Sequence, residues 1–172
     1  MIRLACLAFA AFFCLPALGA DMDVQVLRDL PQVRFPAPNR VVSGALDASH
    51  LDAVQRAGIR HVVNLRPAEE NPKFDEAQAV GRLGLEYHEL PIEGAQSLTK
   101  ENAEAFDRIL KEIGDGPALL HCSSGNRVGA LIAIREAWIR GASPEQAIAT
   151  GKRWGLTQLE GAVRAVLEEG QG

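Results

Sequence analysis

The amino-acid sequence predicts an α/β protein: a central, mostly parallel sheet with helices on both faces. Two observations carry this. From Arg40 onward, short apolar runs alternate with stretches of helical period, the pattern of a parallel sheet covered on both sides. The later stretches also carry explicit helix starts. Ser143-Pro144-Glu145-Gln146 and Thr157-Gln158-Leu159-Glu160 both read as capping boxes, the first with Pro at the first helical position.

The elements follow in order. Residues 21–39 hold three prolines and no sustained period, and read as a lead-in. The run 41–43, ended by Gly44, predicts an edge strand. Residues 49–57 predict a helix with Leu51, Val54 and Ala57 on one face, stopped by Gly58. The β-branched run 61–65, before Pro67, predicts a buried strand. Phe74, Ala77, Val80 and Gly81 stand at helical spacing and predict a helix over 74–83. Residues 86–90 alternate around Tyr87 and end at Pro91, another strand. Thr99 is placed to cap a helix reaching Ile113, whose inner face is Ala103, Phe106, Ile109, Leu110 and Ile113. Residues 118–121 predict a short strand, 122–127 a polar loop, and 128–140 a helix. The two capped helices follow, the last reaching about Glu169.

Length and composition bound the function. The chain has 172 residues, the length of one domain, with 47% apolar and 23% charged residues. Lys plus Arg is 18 against 22 Asp plus Glu, a formal charge of −4. That balance excludes a basic footprint for nucleic acid, and 5% aromatics argue against stacking platforms for bases. Residues 1–20 read as a secretory signal peptide: Arg3, then the uncharged run 4–15, then Pro16 and the small residues Ala17, Gly19 and Ala20. The run is shorter than the roughly 20 residues a membrane span needs. The expectation is an exported, periplasmic or secreted protein, cleaved after Ala20, without stable membrane insertion. Residues 21–39 would be its lead-in and 40–172 its domain. Cys6 and Cys14 leave with the leader, so the mature chain keeps Cys122 alone and forms no internal disulfide.

Chemistry concentrates in His121-Cys122-Ser123-Ser124-Gly125-Asn126-Arg127-Val128. A buried strand delivers a cysteine into a loop of small residues that opens straight into an apolar helix. Successive backbone N–H groups in such a turn form an anion-binding cup, and the helix N-terminus adds positive potential. Gly125 supplies backbone freedom. Arg127 supplies a planar fork for two oxygens of a phosphate or carboxylate. All of these favour the thiolate of Cys122, the nucleophilic form. His121 is placed to bond loop carbonyls and steady the cysteine; Asn126 shapes the loop. Arg66, ending the 61–65 run, is placed to widen the anionic field, or else to pair with Glu69 or Glu70. His50, His61 and His88 are scattered and read as structural or exposed. No cluster has metal-ligand spacing, so neither metal nor organic cofactor is expected.

The loop resembles the signature of cysteine-dependent protein tyrosine and dual-specificity phosphatases. It is more similar still to the bacterial phosphatase-like family labelled beta-lactamase-hydrolase-like. The resemblance extends through Val41-Val42-Ser43-Gly44, Val63-Asn64-Leu65-Arg66-Pro67 and Tyr87-His88-Glu89-Leu90-Pro91-Ile92. It implies a cysteine-phosphatase-like fold and phosphate-monoester hydrolysis through a phosphocysteine at Cys122. Arg127 and the loop from Ser123 through Gly125, Asn126 and Val128 would hold the phosphoryl oxygens, with Arg66 assisting. Glu93, on the loop after Leu90-Pro91-Ile92, stands nearest to the family's acidic proton donor. A phosphorylated substrate, or free phosphate or sulfate, is the expected partner. Four residues separate Cys122 from Arg127, where these phosphatases have five, and Val128 stands where a hydroxyl residue usually follows. The shorter loop equally resembles rhodanese sulfurtransferases. Sulfur transfer by the same cysteine is the second reading, and a catalytically weak anion-binding module the third.

Overall fold

The β-branched and apolar runs become the middle of a five-stranded sheet. The computed structural model describes residues 22–169; the expected leader, residues 1–20, lies outside the described residues. The strands are β1 (Arg34–Ala37), β2 (Arg40–Ser43), β3 (His61–Asn64), β4 (Glu86–Glu89) and β5 (Ala118–His121), in spatial order β1-β2-β5-β3-β4. Among the described residues only the β1–β2 pair is antiparallel. The helices are α1 (Leu51–Arg56), α2 (Glu76–Arg82), α3 (Lys100–Ile113), α4 (Asn126–Trp138), α5 (Pro144–Arg153) and α6 (Glu160–Glu169).

Strand alternation sends successive side chains to opposite faces and builds two cores. Val42, Val63, Leu120 and Cys122 face one core, with Phe106 of α3, most of α4, and Ile148 and Val163. Val41, Val62 and Leu119 face the other, with Val54 of α1, Val80 of α2, and Leu27 and Leu30. Helix α4 is buried almost all round because α3, α5 and α6 pack on it, which its apolar sequence requires. At its crossing with α5 two glycines meet. A Cβ on Gly129 would fall 2.1 Å from the Leu156 amide nitrogen and 2.6 Å from the Gly151 carbonyl.

Four expectations need correction. The lead-in is structured: Leu27 and Leu30 are buried, and β1 forms within it. Pro36 disguises β1 as loop, yet proline is tolerated on a sheet edge, and Asn39, at φ 55°, supplies the hairpin turn. The 41–43 run is therefore an inner strand. Helix α2 starts at Glu76, because the Asp75 side chain caps it by accepting from Gln78 N at 2.9 Å. Its buried residues are Glu76 and Val80, leaving Phe74 outside the helix. The Thr157 capping box does not open α6. The amides of Thr157 and Leu159 donate instead to Asn126 Oδ1, at 2.8 and 3.3 Å. The Ser143 capping box and the Thr99 cap form as read.

Candidate active site

β5 ends at His121 and the chain turns at once into α4. Gly125 makes that turn: it caps the helix at φ 83°, a left-handed conformation that favours glycine. Its amide donates to Cys122 Sγ at 3.2 Å. Cys122 therefore sits inside the turn, under the N-terminus of α4, and is only 1% exposed. Asn126 fastens the first turn of α4 to the segment before α6 through its two amide contacts. Val128 points into the core, so only its backbone faces the loop.

Arg127 bridges three strand ends. Its Nη1 donates to the Ile92 carbonyl at 2.9 Å and to the Leu65 carbonyl at 3.4 Å. Its Nη2 lies 3.1 Å from Ser123 Oγ and 2.6 Å from Glu70 Oε1. The Ser123 hydroxyl donates to Glu70 Oε2 at 2.6 Å. Arg66 closes the cluster, with Nε 3.4 Å from Glu70 Oε2 and Nη2 bonded to the Glu70 carbonyl at 2.7 Å. One carboxylate thus lies across two guanidinium groups. Partial burial opposes ionisation of Glu70, but the Ser123 hydroxyl and the Arg127 and Arg66 guanidinium groups outweigh it. Its carboxyl is held below the ordinary carboxylate range.

The predicted residues separate into two groups. Cys122, Ser123, Gly125, Arg127 and Arg66 come together. Ser124 is exposed and turns its carbonyl to Arg34 Nη1 at 3.4 Å. Glu93 follows Ile92, whose carbonyl anchors Arg127, but its own carboxylate accepts from Gln96 Nε2 at 3.2 Å. His121 does not bond loop carbonyls. Alternation turns its ring to the opposite face from Cys122, where Nε2 lies 2.8 Å from Glu76 Oε1 without hydrogen-bond alignment. Asn64 continues that buried polar row, donating to Tyr87 Oη at 2.8 Å and Glu76 at 3.3 Å. Burial, reinforced by the charges of Glu76 and Glu89, pushes the Tyr87 hydroxyl up to about 12. A cavity of about 330 Å³, with Phe74, Glu76 and Tyr87 in its walls, shares Arg66 with the cluster. Glu70 is the residue that sequence reasoning assigned no part in binding. Its signal was the i, i+4 spacing from Arg66, read only as the alternative of an ion pair with Glu69 or Glu70.

The family model for the beta-lactamase hydrolase-like protein, phosphatase-like domain, matches residues 32–139, the span from β1 through α4. The chain belongs to this family. Among curated relatives, the beta-lactamase hydrolase-like proteins of Xylella fastidiosa strains Temecula1 and 9a5c are 34% identical over 99 residues, 55% of this chain. The chain spans only 22% of those relatives' length. Solved structures agree on the fold. A DUF442 protein of Shewanella putrefaciens CN-32 aligns at TM-score 0.68 and 21% identity, over 87% of this chain and 99% of that one. Tk-PTP in its active form aligns at TM-score 0.59 and 21% identity, over 80% and 97%. A cysteine-to-serine variant of P. aeruginosa TpbA in complex with pTyr aligns at TM-score 0.59 and 18% identity, over 81% and 90%. The phosphatase-like domain of this family therefore has here the cysteine-phosphatase fold, with Cys122 at the carboxyl end of a central strand. Among the described residues, no helix is long and apolar enough to cross a membrane.

Proposed function

We propose that the chain is a cysteine-dependent phosphatase that hydrolyses phosphate monoesters through a phosphocysteine at Cys122. The observation that carries this is the turn itself, in which one residue's amide reaches the sulfur at 3.2 Å while Arg127 is braced on the Ile92 carbonyl beside it. Such a turn presents amides and one guanidinium to an oxyanion, where charge develops during phosphoryl transfer.

In the first step the Cys122 thiolate attacks phosphorus. The S–P bond forms, the P–O bond to the leaving group breaks, and Glu93 gives its proton to the departing oxygen. In the second step water attacks phosphorus and loses a proton to the Glu93 carboxylate. The S–P bond breaks, the thiolate is restored and inorganic phosphate leaves. Arg127 and the amides of Ser123 through Val128 hold the oxygens in both steps. Glu70 occupies Arg127 Nη2 at rest, and the arriving phosphoryl group takes its place. The leader read in residues 1–20 supports action outside the cytoplasm.

Hydrolysis of an aryl phosphate by the mature protein tests the reading. Cys122→Ser should abolish release of phosphate; undiminished turnover would rule the mechanism out. Thiocyanate formed from thiosulfate and cyanide, with no phosphate released from the ester, would assign the same sulfur to sulfur transfer instead.

A further inference from the structure

The starts of β3 and β4 lie at the end of the parallel sheet remote from Cys122. They bring together two imidazoles and a carboxylate that the phosphatase chemistry does not use. His61 opens β3 and pairs in register with Glu86 of β4. His88 follows two residues later, on the same face of β4 as Glu86. His61 Nδ1 lies 3.3 Å from His88 Nε2 and 3.4 Å from Glu86 Oε2, and the three donor atoms fall within 4.8 Å of one another. We propose that His61, His88 and Glu86 bind a divalent transition-metal ion of the zinc class, with its fourth position open to water.

The distances carry the inference. Zinc bonds of about 2.0–2.1 Å to nitrogen and oxygen set tetrahedral donors about 3.3–3.4 Å apart. Both distances from His61 Nδ1 fall on that edge length. One N–H on His61 Nδ1 cannot serve both neighbours fully. Imidazole nitrogen with carboxylate oxygen is a donor set that zinc accepts. Arg40 spends its guanidinium on the carbonyls of Asn39, Gly114 and Gly116. With Arg60 it opposes a cation, and the charge of Glu86 offsets part of that opposition. The His61 side chain is 12% exposed and that of Glu86 66%, so the ion enters from solvent at the sheet edge. Bound there, it clamps β4 to β3, far from the nucleophile.

Titration of the folded protein with zinc against a chromogenic chelator tests this. One zinc per chain should bind, and Tm should rise by about 5–10 °C at a hundredfold excess over Kd. His61→Gln and His88→Gln should lose both effects, while Cys122→Ser keeps both. Glu86→Gln, an exposed change that leaves the fold undisturbed, should weaken zinc at least tenfold. The proposal falls if zinc does not bind stoichiometrically at submillimolar concentration, if binding survives both histidine substitutions, or if Cys122→Ser removes it. Unchanged affinity in Glu86→Gln would equally overturn the three-ligand site.

Discussion

Replacing Glu70 by glutamine removes one negative charge from the guanidinium that the proposed phosphoryl group must use. Glu70 makes a 2.6 Å contact to Arg127 Nη2, a 2.6 Å hydrogen bond from Ser123 and a 3.4 Å contact to Arg66. A hydrogen bond to a charged group contributes about 1.5–3 kcal/mol when sheltered. An exposed ion pair contributes only about 0.2–1 kcal/mol. The Glu70 side chain is 29% exposed, between these limits, so displacing it costs about 1–2 kcal/mol. At about 1.4 kcal/mol per tenfold, Glu70→Gln should bind inorganic phosphate and sulfate about 5- to 30-fold more tightly. Calorimetric titration of both proteins measures this, and sulfate keeps the ligand charge constant across pH. Because the native carboxyl is depressed, the Glu70 pairing is fully present above the unfolded value of about 4.3. It is lost only as pH falls through the lower native value, so the difference between the two proteins should hold constant from pH 5 to 8. Alkylation of Cys122 by iodoacetamide should be faster in the variant and slowed by phosphate in both. Weaker or equal oxyanion binding by Glu70→Gln would refute the displacement and make Glu70 a brace for Arg127.

Two further outcomes concern the scaffold. Asp107 joins α3 to α4 through Arg135 at 2.7 Å and pairs within α3 with Lys111 at 2.6 Å; burial opposes its charge, but these partners hold its carboxyl below the usual range. Asp107→Ala leaves Arg135 buried with Glu136 alone and should cost about 3 kcal/mol in urea unfolding at pH 7. Since the depressed group stabilises above about pH 3.9 and loses its contribution as pH falls through the native value, that gap should shrink toward pH 3. Gly129→Ala sets a Cβ against backbone of α5 and of the segment after it, where no rotamer change relieves the clash. It should lower Tm by at least 5 °C, equivalent to more than about 1–2 kcal/mol for a chain this size. An unchanged Tm would mean that α4 and α5 separate easily.

The inner sheet was legible because its strands are apolar on both faces, with paired valines in β2 and β3 and leucines in β5, which such short runs show plainly. The edge strand β1 was not, since Pro36 is a strand breaker everywhere but at an edge, and only pairing with β2 shows which case holds. The Cys122 loop was legible because its chemistry is contiguous in sequence. What surrounds it was not. Glu70, Ile92 and Leu65 reach Arg127 from other strand ends, two of them through carbonyl groups that every residue type carries. His121 was misplaced for a simpler reason: adjacency to Cys122 was read as proximity, though neighbours on a strand point to opposite faces. His61 and Glu86 are far apart in the sequence and meet only through parallel register, so spacing rules for metal ligands could not pair them.

The sign of the Glu70 effect follows from how Arg127 is divided. Nη1 is held by the carbonyls of Leu65 and Ile92. Both residues are tied to the sheet: the Leu65 amide donates to the His121 carbonyl at 2.9 Å, and the Ile92 amide to the Leu65 carbonyl at 3.0 Å. These acceptors are backbone and cannot leave without opening the strand ends. Nη2 is held by side chains alone, Ser123 and Glu70, either of which a rotamer change can withdraw. The guanidinium plane is therefore fixed along one edge whether or not Glu70 is present. Loss of the Glu70 charge frees the other edge without loosening the group. A carboxylate that merely braced Arg127 would be redundant beside two carbonyls. One that occupies the exchangeable edge competes with every oxyanion that enters, which is why the variant should gain affinity.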